Sequence, residues 1–247
     1  MGEEHNVLVT GSAGVVGTAA CRALKARDHS VVGFDLRETP DVEECVVASL
    51  VDRDALDRAM TGVTTVVHLG AYPDDDEDFT GVLVPNNCVG TYHVFEAAVK
   101  AGIQRVVFAS SSQVVTGHIR EGVTVRLEDG PATVNHYALL KLWGEQLGEM
   151  MWRVHGLSFI GVRIGFCPRT PEHVKAIEGS EIFRAMYLSH HDAGRFLACA
   201  VEAESIECEI LFATSRSPGM PIFDLEPARR LIGYVPQDVF PDGLDEV

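Results

Sequence analysis

Short, nearly unbroken apolar runs alternate along the chain with longer stretches in which apolar residues recur every three or four positions. NVLVTG (6–11), VVGFD (31–35), CVVASL (45–50), TTVVHLGA (64–71), RVVFASSS (105–112), FIGVRIG (159–165) and EILFATS (209–215) read as strands. They lack the polar alternation of a half-solvated sheet, which marks strands covered on both faces. The periodicity between them predicts helices near 14–27, 53–60, 87–101, 137–155, 192–203 and 224–232. Alternation on this scale predicts an α/β fold, a doubly wound parallel sheet with right-handed crossovers. Ligands of such sheets bind beyond the strand carboxyl ends, so the irregular stretches 72–86, 113–133, 166–190 and 216–247 are the places for a substrate site. No Pro-, Gly- or Ser-rich linker divides the chain. Residues 1–165 therefore read as a core and 166–247 as a small substrate-binding region completing the same domain.

Composition narrows the class. The chain has 247 residues, 46% hydrophobic and 23% charged, the profile of a globular protein. A formal net charge of −16 argues against a nucleic-acid partner, which would want a basic face. No apolar run reaches the roughly 18 residues of a membrane helix. The start, MGEEHNVLV, passes from acids straight into a strand rather than through a signal peptide, and Gly2 is followed by Asn6 where a myristoylation signal needs Ser or Thr. These features predict a cytoplasmic protein. The six cysteines are scattered without a C-x-x-C pair, so neither a disulfide framework nor a metal site is expected.

Gly11, Gly14 and Gly17 fall between the first strand and the first helix, in VLVTGSAGVVGTAACRAL. That context permits a tight turn, close approach of backbone to a pyrophosphate, and phosphate binding at a helix N-terminus. Asp35 ends the second strand about 20 residues on, where an acid binds both ribose hydroxyls. A carboxylate there repels a 2′-phosphate, which favours NAD over NADP, although Arg37 stands two residues away. The reading is a Rossmann-type fold binding NAD.

In VNHYALLKLWGE (134–145), Leu140, Trp143, Leu147, Met151 and Val154 form the apolar stripe of a helix, while Tyr137 and Lys141 share a different face. A surface pair is the ordinary meaning of such spacing; a phenol acidified by an ammonium is the catalytic one. The G-x-x-G-x-x-G spacing, FASSSQVVTG (108–117), YALLK (137–141), HLGA (68–71), Asn87 with Gly90 and Thr91, RIG (163–165) and SHHD (189–192) decide between them. With these motifs the chain resembles the extended short-chain dehydrogenase/reductases, the NAD-dependent epimerase/dehydratase group, over roughly residues 6–200.

The resemblance implies an oxidoreductase in which Tyr137 is the acid/base, Lys141 lowers its pKa and holds the nicotinamide ribose, and Ser112 binds the reacting oxygen, with Ser111 the alternative. It implies NAD contacts from Gly11, Ala13, Gly14, Val15, Val16, Asp35 and Leu36 at the adenine side. Further contacts would come from Ser49, Leu50, Leu69, Gly70, Ala71, Asn87, Tyr137, Lys141 and Ile164. Asn87 would otherwise cap its helix. His68 reads as a hydrogen-bonded core histidine and Asp192 as a helix cap, while His190 and His191 have no partners at metal-ligand spacing.

After residue 165 the chain is too short for the lobe that holds a nucleotide-diphosphate sugar, so a small free substrate is expected. Among small family members the chain resembles the uronate dehydrogenases, which implies oxidation of a sugar or sugar acid at C1. Pro73, Ser112, Gln113, Phe166 and Arg184 are the expected substrate contacts, with Arg184, or else Arg169, clamping a carboxylate. Pro73, Phe166 and Val114 depart from those enzymes and point to a less polar pocket. A homo-oligomer, dimer or higher, is expected. The competing functions are an NAD-retaining epimerase or dehydratase and a non-catalytic dinucleotide-binding regulator.

Overall fold

The computed structural model describes residues 4–245, so Gly2 lies outside the described residues. The strands are β1 (Asn6–Thr10), β2 (Ser30–Asp35), β3 (Glu44–Val47), β4 (Thr65–His68), β5 (Arg105–Ser111), β6 (Ser158–Ile164) and β7 (Cys208–Ala213). They pair in parallel in the order β3-β2-β1-β4-β5-β6-β7. The order reverses between β1 and β4, which opens a crevice at the carboxyl ends of those strands.

Helices cover both faces, as the continuous apolar strands require. On one face α1 (Val15–Lys25), α7 (His190–Glu202) and α8 (Glu226–Ile232) bury Leu24, Phe196, Leu197 and Ile232 against Val9, Val67 and Ile160. On the other, α2 (Arg53–Ala59), α3 (Thr91–Ala101) and α4 (His136–His155) bury Leu56, Phe95, Leu147 and Met151 against Val66, Phe108 and Phe159. Each such side chain contributes roughly 1.5–3 kcal/mol by leaving water. Two glycines set how deep α4 sits: a Cβ at Gly144 would meet Phe108 at 2.4 Å and one at Gly148 would meet Phe159 at 2.2 Å. That close approach carries Tyr137 and Lys141 down to the sheet. The helical stripe ends before Val154, which is 66% exposed.

Two expectations change. The stretch 166–190 contains α5 (Pro171–Glu178) and α6 (Glu181–Met186), capped by Thr170 and Ser180. Helices of 8 and 6 residues are too short to show a period, so only their caps announce them. Before α3, Phe79–Gly90 winds as a wide π-type helix whose first turn Asp78 caps by accepting from Gly81 N. The regular helix expected from residue 87 therefore starts at Thr91.

Candidate active site

The glycine loop lies at the β1–α1 junction. Gly11 has φ of +70°, and a Cβ there would meet Gly70 N at 2.7 Å; one at Gly17 would meet Gly11 O at 2.1 Å. Substituted residues would thus close the turn or push α1 off the strand. Gly14 caps α1 with no side-chain hydrogen bond, so the first-turn N–H groups stay open to an anion. Asp35 accepts from Ala13 N at 3.0 Å and from Arg37 N at 3.2 Å, and the Arg37 guanidinium donates to Ala13 O. A groove of about 540 Å³ runs past Gly11, Ala13, Gly14, Val15, Val16, Asp35, Leu36, Ser49, Leu50, Leu69, Gly70 and Ala71.

Asn87 does not line it. It is buried, accepts from Tyr72 N at 2.7 Å and donates to Tyr72 O at 2.9 Å, fastening the β4 loop. Neighbouring Asn86 faces the groove instead. Asn87 neither caps a helix nor lines the groove, because its side chain turns inward onto Tyr72.

The groove opens into a cavity of about 510 Å³, and Val16, Leu69, Ala71, Pro73 and Arg169 line both. Tyr137, Lys141 and the three serines at the end of β5 line the cavity, as do Gln113, Ile164 and Phe166. Asn135 caps α4 by accepting from Ala138 N, and its amide donates to Gln113 Oε1, tying the helix start to the serine loop. The serines are not equivalent. Ser110 donates to Glu145, which also holds Arg163 in a buried ion pair. Ser111 accepts from Gln113 N and acts on the Tyr137 phenol by lowering its pKa. Ser112 lines the cavity with its hydroxyl committed to no protein partner among the described residues, which leaves it to bond a substrate oxygen.

The electrostatics differ from the sequence expectation. Lys141 Nζ donates to Ala109 O at 2.7 Å and lies 5.5 Å from the Tyr137 ring centroid. Burial pushes its pKa down to about 8. Burial also pushes the Tyr137 phenol up to about 12, Asp74 adds to the rise, and Arg169 and Ser111 oppose it. In this form desolvation outweighs Arg169 and Ser111, so the phenol is held protonated rather than acidified.

His68, buried at the end of β4, bonds Thr10 Oγ1 and Thr91 Oγ1, and burial drives its pKa down to about 3. It is a neutral core histidine. Asp192 is not a cap: Ser189 caps α7, while buried Asp192 pairs with Arg195 and accepts from the backbone of Gln237 and Asp238. His190 bridges Pro168 O and Asp245 N, fixing the loop after β6. Among the described residues no cluster of His, Cys, Asp and Glu suits a metal ion.

Arg184 falls outside the catalytic cavity. Its guanidinium donates to Glu178 O at the end of α5 and faces a separate recess beside Arg120 and Met220. The short α6 directs it away, a turn invisible when 166–190 is taken as loop. Arg169 occupies the cavity wall and is ion-paired with Asp74 at 2.6 Å. Val114 is fully buried and does not touch the cavity. Asp74 and His173 also line it, and the sequence reading named neither. Both fall in the stretches 72–86 and 166–190 expected to hold the substrate site, but neither was singled out: Asp74 is one acid in a run of five, and His173 sits in a short helix without a visible period.

Residues 7–167 match the NAD dependent epimerase/dehydratase family. The chain belongs to that family. Its cofactor fits the groove: the glycines that a Cβ would collide with, the uncapped start of α1 and the Asp35 carboxylate are what a dinucleotide requires. The chain is 33% identical to an L-arabinose 1-dehydrogenase (NAD(P)(+)) of Haloferax volcanii, over 94% of this chain and 96% of that protein. It is 32% identical to an NAD-dependent glucose-6-phosphate dehydrogenase of the same organism, over 95% and 94%. A solved glucuronic acid dehydrogenase from Chromohalobacter salexigens superposes with a TM-score of 0.82 at 26% identity, covering 97% of this chain and 86% of that one.

Proposed function

We propose that the protein is an NAD-dependent dehydrogenase that oxidises the C1 hydroxyl of a small cyclic sugar. One observation carries the reading: Tyr137, Lys141 and Ser112 converge on a cavity that is continuous with the glycine groove. Relatives named as sugar dehydrogenases, matched over nearly their whole length, support it. Bound NAD would supply the hydride acceptor. Ser112 donates a hydrogen bond to the reacting oxygen, and Tyr137 in its phenolate form takes the hydroxyl proton as the C–H bond breaks. Lys141, anchored by its bond to Ala109 O, stands 5.5 Å from the centre of the phenol ring. The product is a lactone, with one hydride and one proton leaving the sugar.

The carboxylate at Asp35 supports NAD over NADP. Residues 166–247 serve as the small substrate-binding region completing the core. Exposed Val89 and Tyr92 beside Leu139 and Met150 on the neighbouring helices support a homo-oligomer. No helix among the described residues is long and apolar enough to cross a membrane. Six free cysteines suit a cytoplasmic setting. The test is NADH formation from NAD across neutral aldoses, sugar acids and sugar phosphates, with Tyr137→Phe as control. Turnover by the native chain and none by the variant supports the reading, and silence across the panel ends it.

A further inference from the structure

Arg169 and Lys141 are the Lys and Arg side chains that line the cavity among the described residues. Lys141 sits beside the phenol, 4% exposed, and is spent on Ala109 O. Arg169 is spent on Asp74, Nη2 to Oδ1 at 2.6 Å, across the mouth of the cleft from the β4 loop to the loop after β6. His173 accepts from Arg169 N at its Nδ1, which leaves Nε2 to carry the hydrogen on a neutral ring. Burial and the neighbouring guanidinium hold its pKa below the ordinary value, against Asp74 and Glu172. The wall thus presents an acceptor and donors whose charges cancel. Beside Asp74 run Asp75, Asp76, Glu77 and Asp78, on a chain of net charge −16.

We propose that the Asp74–Arg169 pair restricts the cavity to neutral, unphosphorylated aldoses and turns away sugar acids and sugar phosphates. The proposal rests on the sugar-dehydrogenase reading and names its substrate class. Sugar hydroxyls suit a carboxylate–guanidinium pair: one donates to Asp74 while a neighbour accepts from Arg169. An incoming carboxylate or phosphate instead meets Asp74 as a like charge, must compete with it for Arg169, and approaches through the acidic rim. Asp74 is the residue that cancels the cation an anionic sugar would need.

The experiment compares L-arabinose, D-glucose, D-glucuronate and D-glucose 6-phosphate by NADH formation, and by calorimetric titration of each into the protein saturated with NAD. The native chain should favour the neutral sugars in kcat/KM by at least about tenfold. Asp74→Asn should raise the glucuronate-to-glucose ratio by about tenfold, and adding Arg169→Gln should remove that gain. Taking a ratio cancels any change in Tyr137 that affects all substrates alike. An unchanged ratio in Asp74→Asn, or a native preference for glucuronate, overturns charge selection and leaves the dehydrogenase reading standing. If no probe yields NADH the activity reading fails. In that case binding decides charge selection: neutral sugars bound in preference to anionic ones uphold it, and no binding, or tighter binding of the anions, overturns it.

Discussion

The groove beside α1 is made of backbone, whereas the cavity beside α4 is made of side chains delivered by separate loops. In the groove, Gly11 and Gly17 are dictated by collisions at 2.7 and 2.1 Å, and the phosphate-facing groups are amides of a helix start. In the cavity, Asp74 comes from the β4 loop, Ser112 and Gln113 from the end of β5, Tyr137 from α4, and Phe166, Arg169 and His173 from beyond β6. A backbone site tolerates few sequences, so its spacing announces it. A side-chain site can be built from many residue types, and its selectivity rests on which charges end up paired.

The sharpest way to separate the two regions is Tyr137→Phe. It should lower turnover by the roughly 10²–10⁴-fold of a lost acid/base while calorimetry shows NAD affinity unchanged. Equal loss of both would mean that the tyrosine belongs to the groove. The converse variant is Gly17→Ala, whose methyl lands on Gly11 O. Overpacking at about 1–3 kcal/mol should weaken NAD binding and lower Tm, whereas His173→Ala should leave NAD affinity intact.

What the sequence made legible follows the same division. Continuous Val and Ile runs exposed the strands, and the glycine triplet with Asp35 located the groove, because each answers to local sterics. Helical spacing put Tyr137 and Lys141 on one face, but only the family resemblance implied their catalytic role. Arg184 was misplaced because α6, with 6 residues, hides its direction, and Asp74 passed unnoticed because an acid earns meaning only from the arginine that tertiary structure brings to it. Asn87 illustrates the same limit: its helix was foreseen, but not the π-type winding that turns it onto Tyr72.

Protonation supplies the next contrast. With the phenol of Tyr137 pushed up to about 12, its basic form grows as pH rises. Sugar oxidation should therefore accelerate through the alkaline range by up to about tenfold per unit, and lactone reduction should slow. Asp74 helps hold that pKa up, so Asp74→Asn should move the rise to lower pH. A flat profile would place the proton elsewhere.

His68, buried at the end of β4 behind both regions' lining, tests the core beneath them. Its folded pKa, driven to about 3 by burial, lies below the ordinary 6.5, so the unfolded chain binds the extra proton between those values. Stability should rise with pH across that window and be lost as pH falls through it, and His68→Gln should flatten this part of the Tm profile. The smallest effect is expected at Arg184→Ala, outside the cavity, where KM for the best sugar should move by less than about twofold. A larger rise would return Arg184 to the substrate.

The most direct test is isotopic. A neutral aldose carrying deuterium at C1 is incubated with the protein and NAD, and both products are weighed by mass spectrometry. The account predicts deuterium in released NADH and a sugar product lighter by the deuterium and one proton. Deuterium retained in a sugar whose configuration has changed, with no NADH released, would contradict it and assign the cleft to a hydride-returning epimerase.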